Sequence, residues 1–126
     1  MKNKITIILV SFFSLKHIKR LVKNLIEKSE NPENLHFLIV DNTNGQDYYI
    51  ESYSQKYENI DFVLNDGMNK QRSISHASAI DKGLEKSYSE YTLIIDPDVY
   101  IFKKNWDTFC IEYHKEKNFF LIGAPY

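Results

Sequence analysis

The stretch KITIILVSFF, residues 4–13, decides how this chain folds. It is short, β-branched and almost unbroken in its apolarity. A strand with one face in water alternates polar and apolar side chains, whereas a strand covered on both faces does not. Residues 4–13 therefore predict a strand held between two layers, the setting of a parallel sheet with helices on each side. The next segment agrees with this. Leu15, Ile18, Leu21, Val22, Leu25 and Ile26 recur at helical spacing, with Lys16, Lys19, Arg20 and Lys23 between them. Ser14 stands where it could cap this helix, and SENPEN, residues 29–34, ends it through Pro32 and turn formers.

The same alternation continues along the chain. LHFLIVDNTNG, residues 35–45, reads as a second strand running into a polar loop, and residues 47–57 as a weaker, Tyr-rich helix or loop. IDFVLNDGMN, residues 60–69, is a third strand. A helix from about Ser73 to Tyr88 carries Ile74, Ala77, Ile80, Leu84 and Tyr88 on one apolar stripe. YTLIID, residues 91–96, is a fourth strand, NWDTFCIEYHKEK a further helix and NFFLIGAPY, residues 118–126, a last strand. Strands alternating with helices predict a single Rossmann-like α/β domain over 1–126, with a mostly parallel, doubly wound sheet. No repeat or internal linker breaks it.

Bulk properties narrow the function. The chain has 126 residues, 43% hydrophobic and 26% charged, as in a soluble globular domain. A net charge of −1 argues against a general polyanion binder, and the lysines of the first 30 residues read as the solvated face of one helix. No nucleic-acid partner is expected. A single cysteine, Cys110, rules out a disulfide within the chain and points to a reducing, cytoplasmic setting. It reads as a structural thiol. The N-terminal lysines and apolar run imitate a signal peptide, but no small-residue cleavage site comes after them. No segment reaches the ~20 apolar residues of a membrane span. Gly-x-Gly-x-x-Gly and P-loop patterns are both absent.

Ligands of open α/β sheets bind beyond the carboxyl ends of the strands. The four exits read Ser11 to Ser14, Asp41-Asn42-Thr43-Asn44, Asn65-Asp66-Gly67 and Asp96-Pro97-Asp98. Any one exit is a loop, and loops are rich in Asp and Asn anyway. Acids at three of the four form a set that points to a site. Residues two apart in an extended chain face the same way, so Asp96 and Asp98 are expected to converge on one spot. Two close carboxylates repel unless a proton or cation intervenes. Hard oxygen ligands favour Mg²⁺ or Mn²⁺, with phosphates and water completing the shell. Arg72 could pair with a phosphate or be a solvated charge, and His76 could make a local hydrogen bond or touch a ligand. His17, His36 and His114 read as structural or exposed.

At this point the order strand–DN, helix HASAIDKGLEKSYSEY, strand TLIIDPDV and then IFKKNW resembles the nucleotide-sugar half of glycosyltransferase family 2. The resemblance covers Ile5 to about Pro125. It implies a GT-A fold, a nucleotide-diphosphate sugar donor, a saccharide or other acceptor, and Mn²⁺ or Mg²⁺ at an Asp-x-Asp motif. Asp98 matches the direct metal ligand and Asp96 the acid facing ribose and metal. Asp41 matches the residue contacting the donor base or ribose, while Ser11 and Phe13 lie where the first exit borders the nucleotide. With Asn42, Asp66, Arg72 and His76 they complete the expected site. Two positions depart from the family pattern: VSFFS replaces its Pro and Asn at the first exit, and Asp81 stands where Asn is usual. Trp106 is expected to pack beneath the Asp-x-Asp loop.

The resemblance also implies a general base, which family members draw from their second half. After Asp98 only Asp107, Glu112 and Glu116 remain, all on one predicted helix. The 126 residues are thus expected to be the donor half alone, and the edge this leaves open would favour a homo-oligomer. Two other readings stand beside this one. A non-catalytic α/β nucleotide-binding or interaction domain would keep the fold without transfer. A haloacid-dehalogenase-like phosphatase also uses Asp-x-Asp at a strand end, but normally on its first strand.

Overall fold

The computed structural model describes residues 4–68 and 70–118, with Leu121 and Gly123. The expected last strand over 118–126 lies mostly outside the described residues, which include only Asn118, Leu121 and Gly123 of it. Within them, β1 (Ile5–Ser11), β2 (Leu35–Asp41), β3 (Ile60–Leu64) and β4 (Tyr91–Ile94) form one sheet in the order β3-β2-β1-β4. All three pairings are parallel, with Ile5 opposite both Leu35 and Tyr91. The helices are α1 (Leu15–Lys28), α2 (Tyr48–Ser54), α3 (Arg72–Glu85) and α4 (Trp106–Lys117), with a 3₁₀ turn at Pro32–Asn34. The Tyr-rich stretch is therefore a helix, started by Asp47, whose side chain accepts from the Ile50 N–H.

The continuous apolarity of β1 and β2 has the expected cause, because both faces are covered. Ile5, Ile7, Leu9, Phe37 and Ile39 pack with α1, with Ile50 and Tyr53 of α2 and with Trp106 of α4. Ile8, Leu38 and Val40 pack on the other side against Ala79 of α3.

The apolar stripe expected on α3 does not face the sheet. Ile74 is 55% exposed and Tyr88 87%, while Ser75, Ala79 and Gly83 are the buried positions. The reason is close approach. A Cβ added at Gly83 would lie 2.8 Å from Ile8 Cγ2, so only a face of small side chains lets this helix sit so near β1. Gly83→Ala is accordingly expected to destabilise the chain by about 1–2 kcal/mol, overpacking outweighing the better helix propensity of Ala. Urea unfolding followed by circular dichroism would measure it, and a variant as stable as the parent would mean that Ile8 yields.

At the start of α1, Ser14 occupies the N-cap position without capping. Its hydroxyl instead donates to the Phe12 carbonyl and accepts from the Phe12 N–H, tightening the β1 exit.

Candidate functional site

A cleft of about 790 Å³ opens beyond the carboxyl ends of β1, β2 and β4, against the N-terminal end of α3. Alternation along the strands determines which exit residues reach it. On β1 and β2, Ile8, Val10, Leu38 and Val40 face α3, and Asn42 continues that row. Val10 and Asn42 line the cleft. Ser11 and Asp41 come after Leu9 and Ile39 on the opposite face and do not line it.

The acid turn reaches the cleft by a different geometry from the one expected. Beyond β4 the chain is no longer extended: the Val99 N–H donates to the Asp96 carbonyl at 3.2 Å, closing a turn over 96–99. Asp in the first position and Pro in the second are the residues such a turn favours. The turn carries both Asp96 and Asp98 to the cleft wall. Across from them, His76 Nε2 stands 3.8 Å from Asp96 Oδ1, and Arg72 and Lys70 line the wall nearby.

Of the expected site residues, the structure gathers Asn42, Arg72, His76, Asp96 and Asp98. It separates four others. Asp41 is fully buried; its carboxylate accepts from the Thr43 N–H at 2.9 Å, the Thr43 hydroxyl at 2.6 Å and the Gly45 N–H at 3.0 Å. It shapes the loop after β2 from behind. Ser11 is also buried, its hydroxyl accepting from the Ser14 N–H at 3.4 Å. Asp66 is exposed outside the cleft, accepting from the Met68 N–H. Phe13 has φ of 54° and turns away, so that Phe12 lines the cleft in its place. Ser14, which belongs to the first exit, and His17, read from sequence as structural or exposed, also line it, as do Met68 and Ser75, which the sequence did not single out. His17 lies one turn into α1, on the helix leaving the β1 exit, and that placement was the available signal.

A buried polar network holds the cleft floor. Asn42 Nδ2 donates to Ser75 Oγ at 2.7 Å, and Asn65 Nδ2 donates to Asn42 Oδ1 at 2.8 Å and to Ser78 Oγ at 3.0 Å. The Gly67 N–H donates to the Asn42 carbonyl at 3.1 Å, and a Cβ on Gly67 would collide with both Asn42 and Ser75. The exits of β2 and β3 are thereby locked to the first turns of α3, the helix that carries Arg72 and His76.

The acids of α4 are elsewhere. Asp107 is buried and accepts from the Glu30 and Asn31 N–H groups at 2.9 and 3.0 Å. With Glu112 it lines a separate cavity of about 200 Å³ beside Ile5, at the amino ends of the strands. Trp106 is buried with its Nε1 donating to the Leu25 carbonyl at 2.9 Å, so it joins α4 to α1. Desolvation raises the Cys110 thiol above its ordinary range; Asp107 adds to this and Lys103 opposes it. The thiol is therefore protonated at neutral pH and carries no sign of a nucleophile.

Two carboxylates are too few to enclose a cation, and among the described residues no group of three or more His, Cys, Asp or Glu side chains gathers as a metal site. Asp96 and Asp98 do suit a hard divalent ion that takes its other ligands from water and from phosphates bound in the same cleft. No helix is long and apolar enough to cross a membrane among the described residues.

A family model described as glycosyl transferase family 2 matches residues 6–126. The fold is similar to that of mannosyltransferase PcManGT from Pyrobaculum calidifontis, solved in complex with GDP-Man and Mn²⁺. That likeness has a TM-score of 0.67 and 16% identity, and covers 88% of this chain and 32% of that one. It is also similar to S. aureus TarS 1-349 in complex with UDP-GlcNAc, with a TM-score of 0.66 and 20% identity, covering 98% of this chain and 37% of that one. The chain thus spans about a third of the length of these solved proteins. No curated protein matches it by sequence.

Proposed function

Taking as premise that this chain belongs to glycosyl transferase family 2, we propose that it forms the donor-binding part of a metal-dependent glycosyltransferase acting on a nucleotide-diphosphate sugar. The observation that carries the reading is the pairing of charges across one cleft. The carboxylates of Asp96 and Asp98 stand on one wall, and the cations Lys70 and Arg72, at the N-terminal end of α3, on another. A diphosphate carrying a divalent ion has this same split character.

In this reading Asp98 and Asp96 hold Mn²⁺ or Mg²⁺, which when bound supplies Lewis-acid stabilisation of the departing diphosphate. Arg72 and Lys70 neutralise phosphate oxygens, helped by the positive end of the α3 dipole. Asn42 and Ser75 set the floor, and the Phe12 ring at the rim offers a face for the base. These polar and aromatic groups line one cleft.

Among the described residues the cleft offers no carboxylate beyond Asp96 and Asp98. That observation keeps the non-catalytic reading alive as a second proposal for these 126 residues, whereas family membership leaves the phosphatase reading without support. Titrating UDP and GDP into the protein with and without Mn²⁺ tests the lead. Binding of one of them that depends on the metal is expected; binding indifferent to metal, or none at all, would discard it. Monitoring sugar release from the bound donor then separates a transferase from a domain that only binds.

A further inference from the structure

We propose that the outer surface of α1, with the segment 99–104 docked beside it, is a seat for an anionic lipid surface. This is independent of what the cleft binds. The two parts are 77 residues apart in sequence and are held together by a buried clamp. Asn24 Nδ2 donates to the Ile101 carbonyl at 2.9 Å, and the Ile101 N–H donates back to Asn24 Oδ1 at 2.7 Å. The Asn105 N–H donates to the Lys28 carbonyl at 2.7 Å one helical turn further on. Segment 99–104 therefore runs along the flank of α1 as a fixed strip.

The joined surface is basic, although the chain is not. Helix α1 carries five basic residues against the single acid Glu27, and the strip adds Lys103 and Lys104 with no acid, in a chain of net charge −1. Lys16, Arg20 and Lys23 are exposed on the helix, as are Lys103 and Lys104 on the strip. A solvated basic face needs nothing more, but this one also exposes rings. Phe102 is 83% exposed and pairs with Tyr100 at a centroid distance of 5.0 Å, and Phe13, which does not line the cleft, is exposed at the start of α1.

Cations flanked by exposed aromatic rings match the chemistry of a bilayer interface. Lys and Arg are drawn to anionic headgroups, and Tyr and Phe settle at the boundary between headgroups and acyl chains. The apolar side of α1 is committed to the core, so the helix lies on such a surface by its polar side and inserts only the neighbouring rings. A single-stranded nucleic acid would ask for a basic groove with free stacking platforms. Here the basic residues sit on the outside of a helix, and the Tyr100 and Phe102 rings are turned against each other at 59°.

The test is flotation of the full 126-residue chain with vesicles of phosphatidylcholine alone or mixed with phosphatidylglycerol. Binding is expected only to the anionic vesicles and is expected to fall as salt screens the charges. Lys16→Glu with Arg20→Glu should weaken it by about tenfold or more, and Phe102→Ser by about threefold or more with the salt dependence kept. Circular dichroism and the nucleoside diphosphate titration should match the parent in both variants. Equal binding to neutral vesicles, no binding, or variants that bind like the parent would overturn the proposal. So would tighter binding to a single-stranded oligonucleotide than to the anionic vesicles at the same salt, or self-association abolished by the same substitutions.

Discussion

Asp98→Asn is expected to abolish the Mn²⁺-dependent part of nucleoside diphosphate binding while leaving the fold intact. Asp98 is exposed on the 96–99 turn and lines the cleft, and the turn is closed by backbone atoms, Val99 N–H to Asp96 carbonyl, that the substitution does not touch. Asn keeps the shape and removes the charge that a hard cation requires. Changes in the outer shell of a metal site already cost ~10–100-fold in affinity, so loss of a direct ligand should reach at least the upper end of that range. Asp96→Asn should have a similar effect with one difference, because His76 stands 3.8 Å from Asp96 and not from Asp98. Calorimetric titration of the nucleotide at fixed Mn²⁺ is the measurement. If Asp98→Asn bound the nucleotide as tightly as the parent, with metal still required, the ligands of the ion would have to be sought elsewhere.

Asp41→Ala is expected to have the largest effect on stability of any single exit residue, about 3–5 kcal/mol. The carboxylate is fully buried and accepts three hydrogen bonds, two from backbone N–H groups that the alanine would leave unpaired. Hydrogen bonds to a charged group contribute roughly 1.5–3 kcal/mol each, and a buried donor left without a partner costs about 1–3 kcal/mol. Gly45, at φ +89°, presents one of those donors from a conformation that side chains rarely adopt, so the loop has little freedom to find another partner. A fall in Tm of about 10 °C or more should accompany the change. Nucleotide binding by the fraction still folded should persist, since the carboxylate lies on the face of the sheet away from the cleft. A variant as stable as the parent that no longer bound nucleotide would instead return Asp41 to the role that the family pattern implies.

These two acids show how far the sequence could be read. The place of Asp98 on the cleft wall was legible because its signal is local. An apolar strand ends, a proline stops the ladder, and two carboxylates fall within one turn, which the structure places on the cleft wall. Asp41 carries the same local signal, an acid directly after an apolar strand, yet it is placed on the other side of the sheet. A strand covered on both faces has no polar side, so β1 and β2 contain nothing in their pattern to say which row of residues faces α3. The expectation for Phe13 fails for the same reason, since the row through Val10 passes to Phe12 once Ser14 tightens the turn. On α3, hydrophobicity pointed to Ile74, Leu84 and Tyr88, whereas packing chose Ser75, Ala79 and Gly83 because distance to Ile8 set the limit.

The sequence by itself determined the class of fold, the order of the described elements and the position of the two acids just beyond β4, because these depend on periodicity, on apolar runs and on residues close along the chain. Only the tertiary structure decided which face of the sheet holds the cleft, that Asn42 and Phe12 line it where Asp41 and Phe13 do not, and that Asn24 fastens a strip of rings and lysines 77 residues away along α1. Those outcomes turn on which side chains fit at close range between layers, a choice made between residues far apart in the chain.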